Sequence, residues 1–398
     1  MTTPLIFLSA GEASGDHYGA ELIASLRATL PDARFTGLGG TQMDAAGQQR
    51  VVRAEDVAVM GITEILRHIP TILRSYGALV KSIKTTRPDA AVLIDFPDVN
   101  FRLAKHLKRM GVPVIWFVSP QLWAWKKRRL RWVQQRVWKM LTIFPFEQPF
   151  YANRGVQAEF VGHPLAEQPL PTISRQDYAT LHALDTRKPW IALLPGSRGG
   201  EIAANLPQMI EAARQLGPAY EYLIPVAPTV SHERRLAMQT SVAHLVDDAR
   251  AALLHSRAAV VASGTATVQA AVIGTPFVAV YSVSGLTFRL AKALVRYPTE
   301  ISAQEDDYGN LPIAMVNLIA KRRVVPELLQ ENLTAANVVA ALQPLLANTP
   351  QREEQVEALQ EVRRRLLSPT DRTAIESLRD AVLGALATTH DANLRLTK

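Results

Sequence analysis

Short unbroken apolar runs alternate along this chain with longer stretches in which apolar positions recur every three or four residues. "PLIFLS" near the start, "AAVLIDF" (90–96), "VPVIWFVS" (112–119), "MLTIFPFE" (140–147) and "AEFVGHP" (158–164) are continuous, as strands buried on both faces are. Between them the spacing predicts helices, one from about Asp16 to Thr29 and one through "NFRLAKHLKRMG" that stops at Gly111. A polar, proline-containing stretch, 166–188 with "QPLPTISRQD" near its start, reads as a linker. A second series then begins: "WIALLPGSRGGE", "YEYLIPVAP", "AAVVASGTATVQAA" and "GTPFVAVYS". From Pro350 the chain turns polar and helical. The expected organisation is an α/β protein with two doubly wound parallel-sheet domains, 1–165 and 189–348, and helices in 349–398 closing the fold.

The stretch 59–84 carries a wide helical stripe that includes Ile62, Ile65, Leu66, Ile69, Leu73, Leu79 and Ile83, with Pro70 expected to begin a second helix. Burial in a core explains most such stripes, but flanking Arg67, Arg74, Lys81 and Lys84 also suit a helix lying on a membrane surface.

The length of 398 residues agrees with two domains, and 48% apolar residues suffice to fill their cores. The absence of cysteine excludes disulfides and thiolate metal sites and fits a reducing cytosol. "MTTPLIFLSAGEASGD" has no basic leader and is expected to open directly on a strand; no uncharged apolar run approaches the length of a membrane span. The net charge of +8 is unevenly spread. Seven basic residues lie between Lys126 and Lys139 without an acid, among Trp123, Trp125, Trp132 and Trp138. Such a stretch suits single-stranded nucleic acid, a membrane interface or an anionic small molecule.

Four loops offer chemistry. "SAGEASGD" (9–16) is a glycine turn containing Glu12; Gly11 would admit a ligand close to the backbone, or the loop is an ordinary turn capped by Ser14 or Asp16. "LIDFPDVNF" (93–101) ends a strand with Asp95, Asp98 and Asn100, where a carboxylate can serve as general base, or where Asp98 and Asn100 simply cap a loop. Gly196, Ser197, Arg198 and Gly199 form a flexible loop feeding a helix, and Ser263-Gly264-Thr265 repeats the arrangement; amides plus a guanidinium make a diphosphate clamp. No histidine pair has metal-ligand spacing, and no serine-hydrolase elbow is present.

In this order and spacing, "AGEASGD" (10–16), "GLGG" (37–40), "MG" (60–61), "IDFPDVN" (94–100), "SPQLWAWK" (119–126), "PFE" (145–147), "GHP" (162–164), "LLPGSRGGEI" (193–202), "SGTAT" (263–267) and "NLIA" (317–320) resemble the lipid-A-disaccharide synthase family of glycosyltransferases. The resemblance covers nearly the whole chain. It implies the GT-B fold, two Rossmann-like domains facing a central cleft. It also implies inverting transfer of 2,3-diacylglucosamine from its UDP derivative to 2,3-diacylglucosamine 1-phosphate, giving a β(1→6) disaccharide and UDP. Asp98 is then expected as base, Asp95 as its alternative or orienting partner, and Glu12 as facing the acceptor or reacting carbon. Gly196 to Gly199, Ser263, Gly264, Thr265, Gln269 and Asn317 are expected to hold the UDP-sugar. Gly11, Ser14, Asn100, Ser119, Gln121 and Trp123 would line the acceptor side. Ile69, Leu73, Arg128, Arg129 and Arg131 would meet an anionic membrane at the cytoplasmic face of the inner membrane. No cofactor, metal or nucleic acid is expected; another UDP-sugar enzyme of the same fold, an epimerase or a transferase with a soluble acceptor, is the alternative, and oligomeric state is left open. The chain departs from the family pattern at Gln269 (where a glutamate is usual), Val316 (proline) and Lys321 and Arg323 (glycine and glutamate).

Overall fold

The computed structural model describes residues 3–58, 65–226 and 230–396. The motif Met60-Gly61, Ile62 and the side chain of Ile69 lie outside what is described. The chain forms two compact units, Met1–Pro164 with Ser368–Lys398, and Leu165–Leu367.

In the first unit, seven strands form one parallel sheet: β1 (Leu5–Ala10), β2 (Arg34–Gly39), β3 (Gln48–Arg53), β4 (Ala90–Ile94), β5 (Val114–Phe117), β6 (Lys139–Thr142) and β7 (Ala158–Phe160). Their spatial order is β3-β2-β1-β4-β5-β6-β7, so chain direction across the sheet reverses between β1 and β4. The second unit repeats the logic with six: β8 (Trp190–Leu194), β9 (Glu221–Pro225), β10 (His244–Val246), β11 (Ala258–Ala262), β12 (Phe277–Tyr281) and β13 (Glu327–Leu329). The order β10-β9-β8-β11-β12-β13 puts its switch point between β8 and β11. Strands β1, β4, β8 and β11 are buried throughout, which is why they read as unbroken apolar runs.

Three expectations change. Residues 166–188 are not a free linker. They carry the helix Arg175–His182, whose Tyr178 and Ala179 join the buried cluster around Trp190, Leu223 and Val246. The closing segment divides, Pro350–Leu366 belonging to the second unit and Ala374–Leu396 to the first. The helix Ile65–Thr86 runs through Pro70 instead of restarting there. One missing N–H is a local loss, and burial of Leu79 and Ile83 further along anchors the helix. In the tryptophan-rich stretch, the helix Leu130–Arg136 ends where Val137 turns extended ahead of β6.

Candidate active site

At the switch point of the first sheet, Ala10 pairs with Ile94, so the turns after β1 and β4 emerge side by side. The second turn is conformationally unusual. Asp95 and Phe96 both have positive φ, 44° and 47°, and Val118 after β5 has 62°. Side chains rarely adopt this region, and a β-branched one least of all, so the strain marks these strand ends as sites that the surrounding packing holds in place. Part of that packing is Gly11, where an added Cβ would meet the Phe96 ring at 2.5 Å. The rest is Asn100, buried on the helix Pro97–Arg109. Its Oδ1 accepts from Ser9 Oγ at 2.6 Å and its Nδ2 donates to the Asp95 carbonyl at 2.7 Å. Asn100 thus ties β1 to the turn after β4, and its side-chain amide is engaged within the protein.

Glu12 and Ser14 are exposed beside this turn. The first helix begins at Ala13, three residues earlier than expected, with Glu12 as its N-cap residue. Asp16 does cap a helix, but a different one: it accepts from the amides of Gly40, Gln42 and Met43 at 2.7, 2.9 and 3.1 Å, locking the "GLGG" turn after β2. Asp98 opens the Pro97–Arg109 helix with its side chain 70% exposed, and its Oδ1 lies 2.6 Å from Arg129 Nη2. Arg129, expected on an outward membrane face, is therefore turned inward onto this carboxylate.

"SPQLWAW" folds inward too. Ser119 and Trp123 are buried, and both donate to Glu147 Oε1, at 2.6 and 3.1 Å; the Phe144 amide donates to Oε2 at 3.2 Å. Burial pushes the Glu147 carboxyl up to about 7, against the lowering effect of these donors. Trp123 packs edge-on against Phe146. Ser119 and Trp123 thus frame the loop from within, while Gln121 is exposed at its tip. Glu147 is the residue the sequence reasoning missed; its only signal was membership of "PFE". His163 of "GHP" is buried against Phe144, and burial lowers it to about 4.

In the second unit, Val261 pairs with Leu194, bringing the two glycine loops to the β8/β11 switch point. Gly196 needs its φ of 116°, and a Cβ there would strike Glu201. Glu201 Oε2 accepts from the amides of Ser197 and Arg198 at 3.2 and 3.4 Å. Those two donors, expected to hold a ligand, are thus engaged within the protein. The Arg198 side chain remains 73% exposed, with one nitrogen 3.1 Å from Glu201 Oε1. The amides that open the helix Gly199–Leu216 have no partner further back within it. Across the switch point Gly264 has φ 144° with open space where a Cβ would sit. Thr265 is exposed and starts the helix Thr265–Ile273; Gln269 lies one turn along and half-buried, and Ser263 is half-buried at the strand end.

Asn317 does not face this site. It is 1% exposed; its amide donates to Val325 O and Glu327 Oε1, both at 3.0 Å, and its Oδ1 accepts from the amides of Val324 and Val325. With two donors and two acceptor positions used, its side chain has nothing to offer a nucleotide. Asn317→Ala is expected to cost about 2–4 kcal/mol by leaving buried partners unpaired, read by denaturant unfolding. The departures nearby are accommodated. Lys321 adopts φ 60° at the end of the helix Met315–Ala320, the left-handed position a glycine would occupy, and Arg323 pairs with Glu327 at 3.0 Å. Val316 is buried in that helix.

Among the residues expected at a membrane, Leu73 is 59% exposed, and Arg128 and Arg131 are exposed. No helix among the described residues is long and apolar enough to cross a membrane.

A calicheamicin glycosyltransferase superposes with a TM-score of 0.58 at 15% identity, covering 98% of this chain and 99% of that one. The UDP-GlcNAc 2-epimerase of Neisseria meningitidis does so at 0.55 and 12%, covering 91% and 98%. Two parallel-sheet units, each with glycine turns at its switch point, define the class: this is the GT-B fold. Residues 6–382 match the family model for lipid-A-disaccharide synthetase. The chain is 55% identical over 385 residues to the lipid-A-disaccharide synthase of Acidobacterium capsulatum, spanning 92% of this chain and 93% of that protein. It is 46% identical to that of Koribacter versatilis, spanning 95% and 97%. The chain belongs to the lipid-A-disaccharide synthetase family and is a glycosyltransferase of lipid A biosynthesis.

Proposed function

We propose that the chain transfers 2,3-diacylglucosamine from its UDP derivative to the 6-hydroxyl of 2,3-diacylglucosamine 1-phosphate, with inversion, releasing UDP. The observation that carries the acceptor side is Asp98: an exposed carboxylate beside the strained β4 turn, held by Arg129 at 2.6 Å and opening onto a cation-lined cavity. Inverting transfer is one displacement. The base takes the acceptor hydroxyl proton as its oxygen attacks the anomeric carbon, and the bond to UDP breaks with its electron pair leaving on the diphosphate. Arg198, the first amides of the Gly199 helix and the N-terminus of the Thr265 helix supply positive potential for that leaving group. Gln269 is a neutral hydrogen-bond partner for a ribose hydroxyl. Peripheral membrane association, which the acylated substrates call for, is supported by exposed Leu73, Trp125, Arg128 and Arg131 in the first unit.

Purified protein given both diacyl substrates in detergent should release UDP, and no release in any detergent would reject the reaction. Arg198→Ala is expected to raise donor KM and lower kcat, together at least about tenfold in kcat/KM, with acceptor KM unchanged. An unaltered donor KM and kcat would remove Arg198 from the site.

A further inference from the structure

Beside Asp98 lies a cavity of about 290 Å³ within the first unit. One wall is the Pro97–Arg109 helix, which presents Asp98, Arg102 and Lys105 on one face. The opposite wall is Trp132 with Arg129 and Arg136 against its ring, their guanidinium carbons 5.6 and 4.9 Å from its centre. Tyr76 closes the cavity, its hydroxyl 3.1 Å from His106 Nε2.

The charges do not balance. Arg129 is matched by Asp98, and Arg136 donates to the Phe101 carbonyl at 2.9 Å. Among the described residues neither Arg102 nor Lys105 has a carboxylate partner. Burial, then Arg109 and Arg131, pulls Arg136 below the usual arginine range; burial, then Lys84, Arg109 and Lys105, does the same to His106. A fold that gathers four permanent cations and a single acid around one small cavity tolerates mutual repulsion that an incoming anion would relieve. Forked arginines and a point-charge lysine suit a tetrahedral oxyanion.

We propose that this cavity binds a phosphomonoester and, resting on the reaction proposed above, that its occupant is the anomeric phosphate of the acceptor. Arg102 and Lys105 follow Asp98 by roughly 6 and 10 Å along the helix axis, at 1.5 Å per residue. One pyranose ring bridges that interval, which sets the hydroxyl at the base while the phosphate sits among the cations. The cavity thereby selects a phosphorylated acceptor and fixes its register against Asp98.

The double variant Arg102→Ala with Lys105→Ala tests this, since both side chains are exposed and their loss should leave the fold intact. Acceptor KM is expected to rise about ten- to hundredfold with donor KM unchanged. Arg102→Lys should restore part of the loss. With an acceptor lacking the 1-phosphate, wild type and double variant should perform alike. By ³¹P NMR, glucosamine 1-phosphate should titrate the wild type to saturation and the double variant far more weakly. Equal loss with both acceptors would overturn the proposal. So would an unchanged acceptor KM combined with weakened binding to phosphatidylglycerol vesicles, which would assign the cations to lipid headgroups. If the wild type releases no UDP, the reaction falls separately, and the glucosamine 1-phosphate titration still decides whether the cavity holds a phosphomonoester.

Discussion

Asp98→Asn is expected to lower kcat by at least about a hundredfold, some 2.7 kcal/mol of barrier, while both KM values move by a few-fold at most. The amide keeps the size and planar shape of the carboxylate but cannot accept the acceptor's proton. The effect should therefore fall on the chemical step rather than on binding. Stability should barely change, because the side chain is 70% exposed and exposed ion pairs contribute little. Steady-state UDP release with a thermal melt of the same preparation separates the two outcomes. A kcat within a few-fold of wild type would move the base to Asp95 or Glu12, which stand at the same switch point.

The second large effect is structural. Glu147→Ala should destabilise the first unit by roughly 3–5 kcal/mol, because it strands the Ser119 hydroxyl, the Trp123 indole and the Phe144 amide in a buried place. A loss under about 1 kcal/mol in chemical denaturation would show that the loop does not depend on Glu147. The same residue gives a pH signature. Unfolded, its carboxyl ionises near 4.5; folded, it keeps its proton up to about 7. Between those values the folded state binds more protons than the unfolded one, so stability from this group is complete below pH 4.5, declines across the interval and is flat above it. The decline amounts to about 3 kcal/mol. Glu147→Gln cannot ionise, so the variant's stability should lose this slope, and the wild-type advantage over it should fall between pH 4.5 and 7. A parallel pair of curves would refute the assignment.

Much of this was legible in the residues because parallel strands buried on both faces leave unbroken apolar runs, and the turns that end them lie where ligands bind. The glycine turns at Gly11, Gly196 and Gly264 and the acidic turn after β4 fall at the two switch points. What stayed hidden depends on long-range pairing. Nothing near Glu147 announces that its partners stand 24 and 28 residues earlier. The inward turns of Asn317 and Arg129 likewise depend on which carbonyl or carboxylate tertiary packing brings up. The stretch of tryptophans and basic residues divides for the same reason. Trp123 is core, Trp132 backs a cavity, and Trp125 is 45% exposed beside Lys126.

The first unit is not contiguous in the chain. Ala374–Leu396 packs on β4, β5 and the Ala13–Thr29 helix, burying Leu378, Ala381, Val382 and Ala385. During synthesis, the strands of the first unit therefore wait for a segment translated after the whole second unit, which can fold in the interval. Until then the sheet whose β4 leads into the Asp98 helix has an apolar face uncovered, and it is this nascent half that would call on chaperones. A stop codon ahead of Ala374 would spare the second unit and disable the first, although every strand of the first unit would still be present.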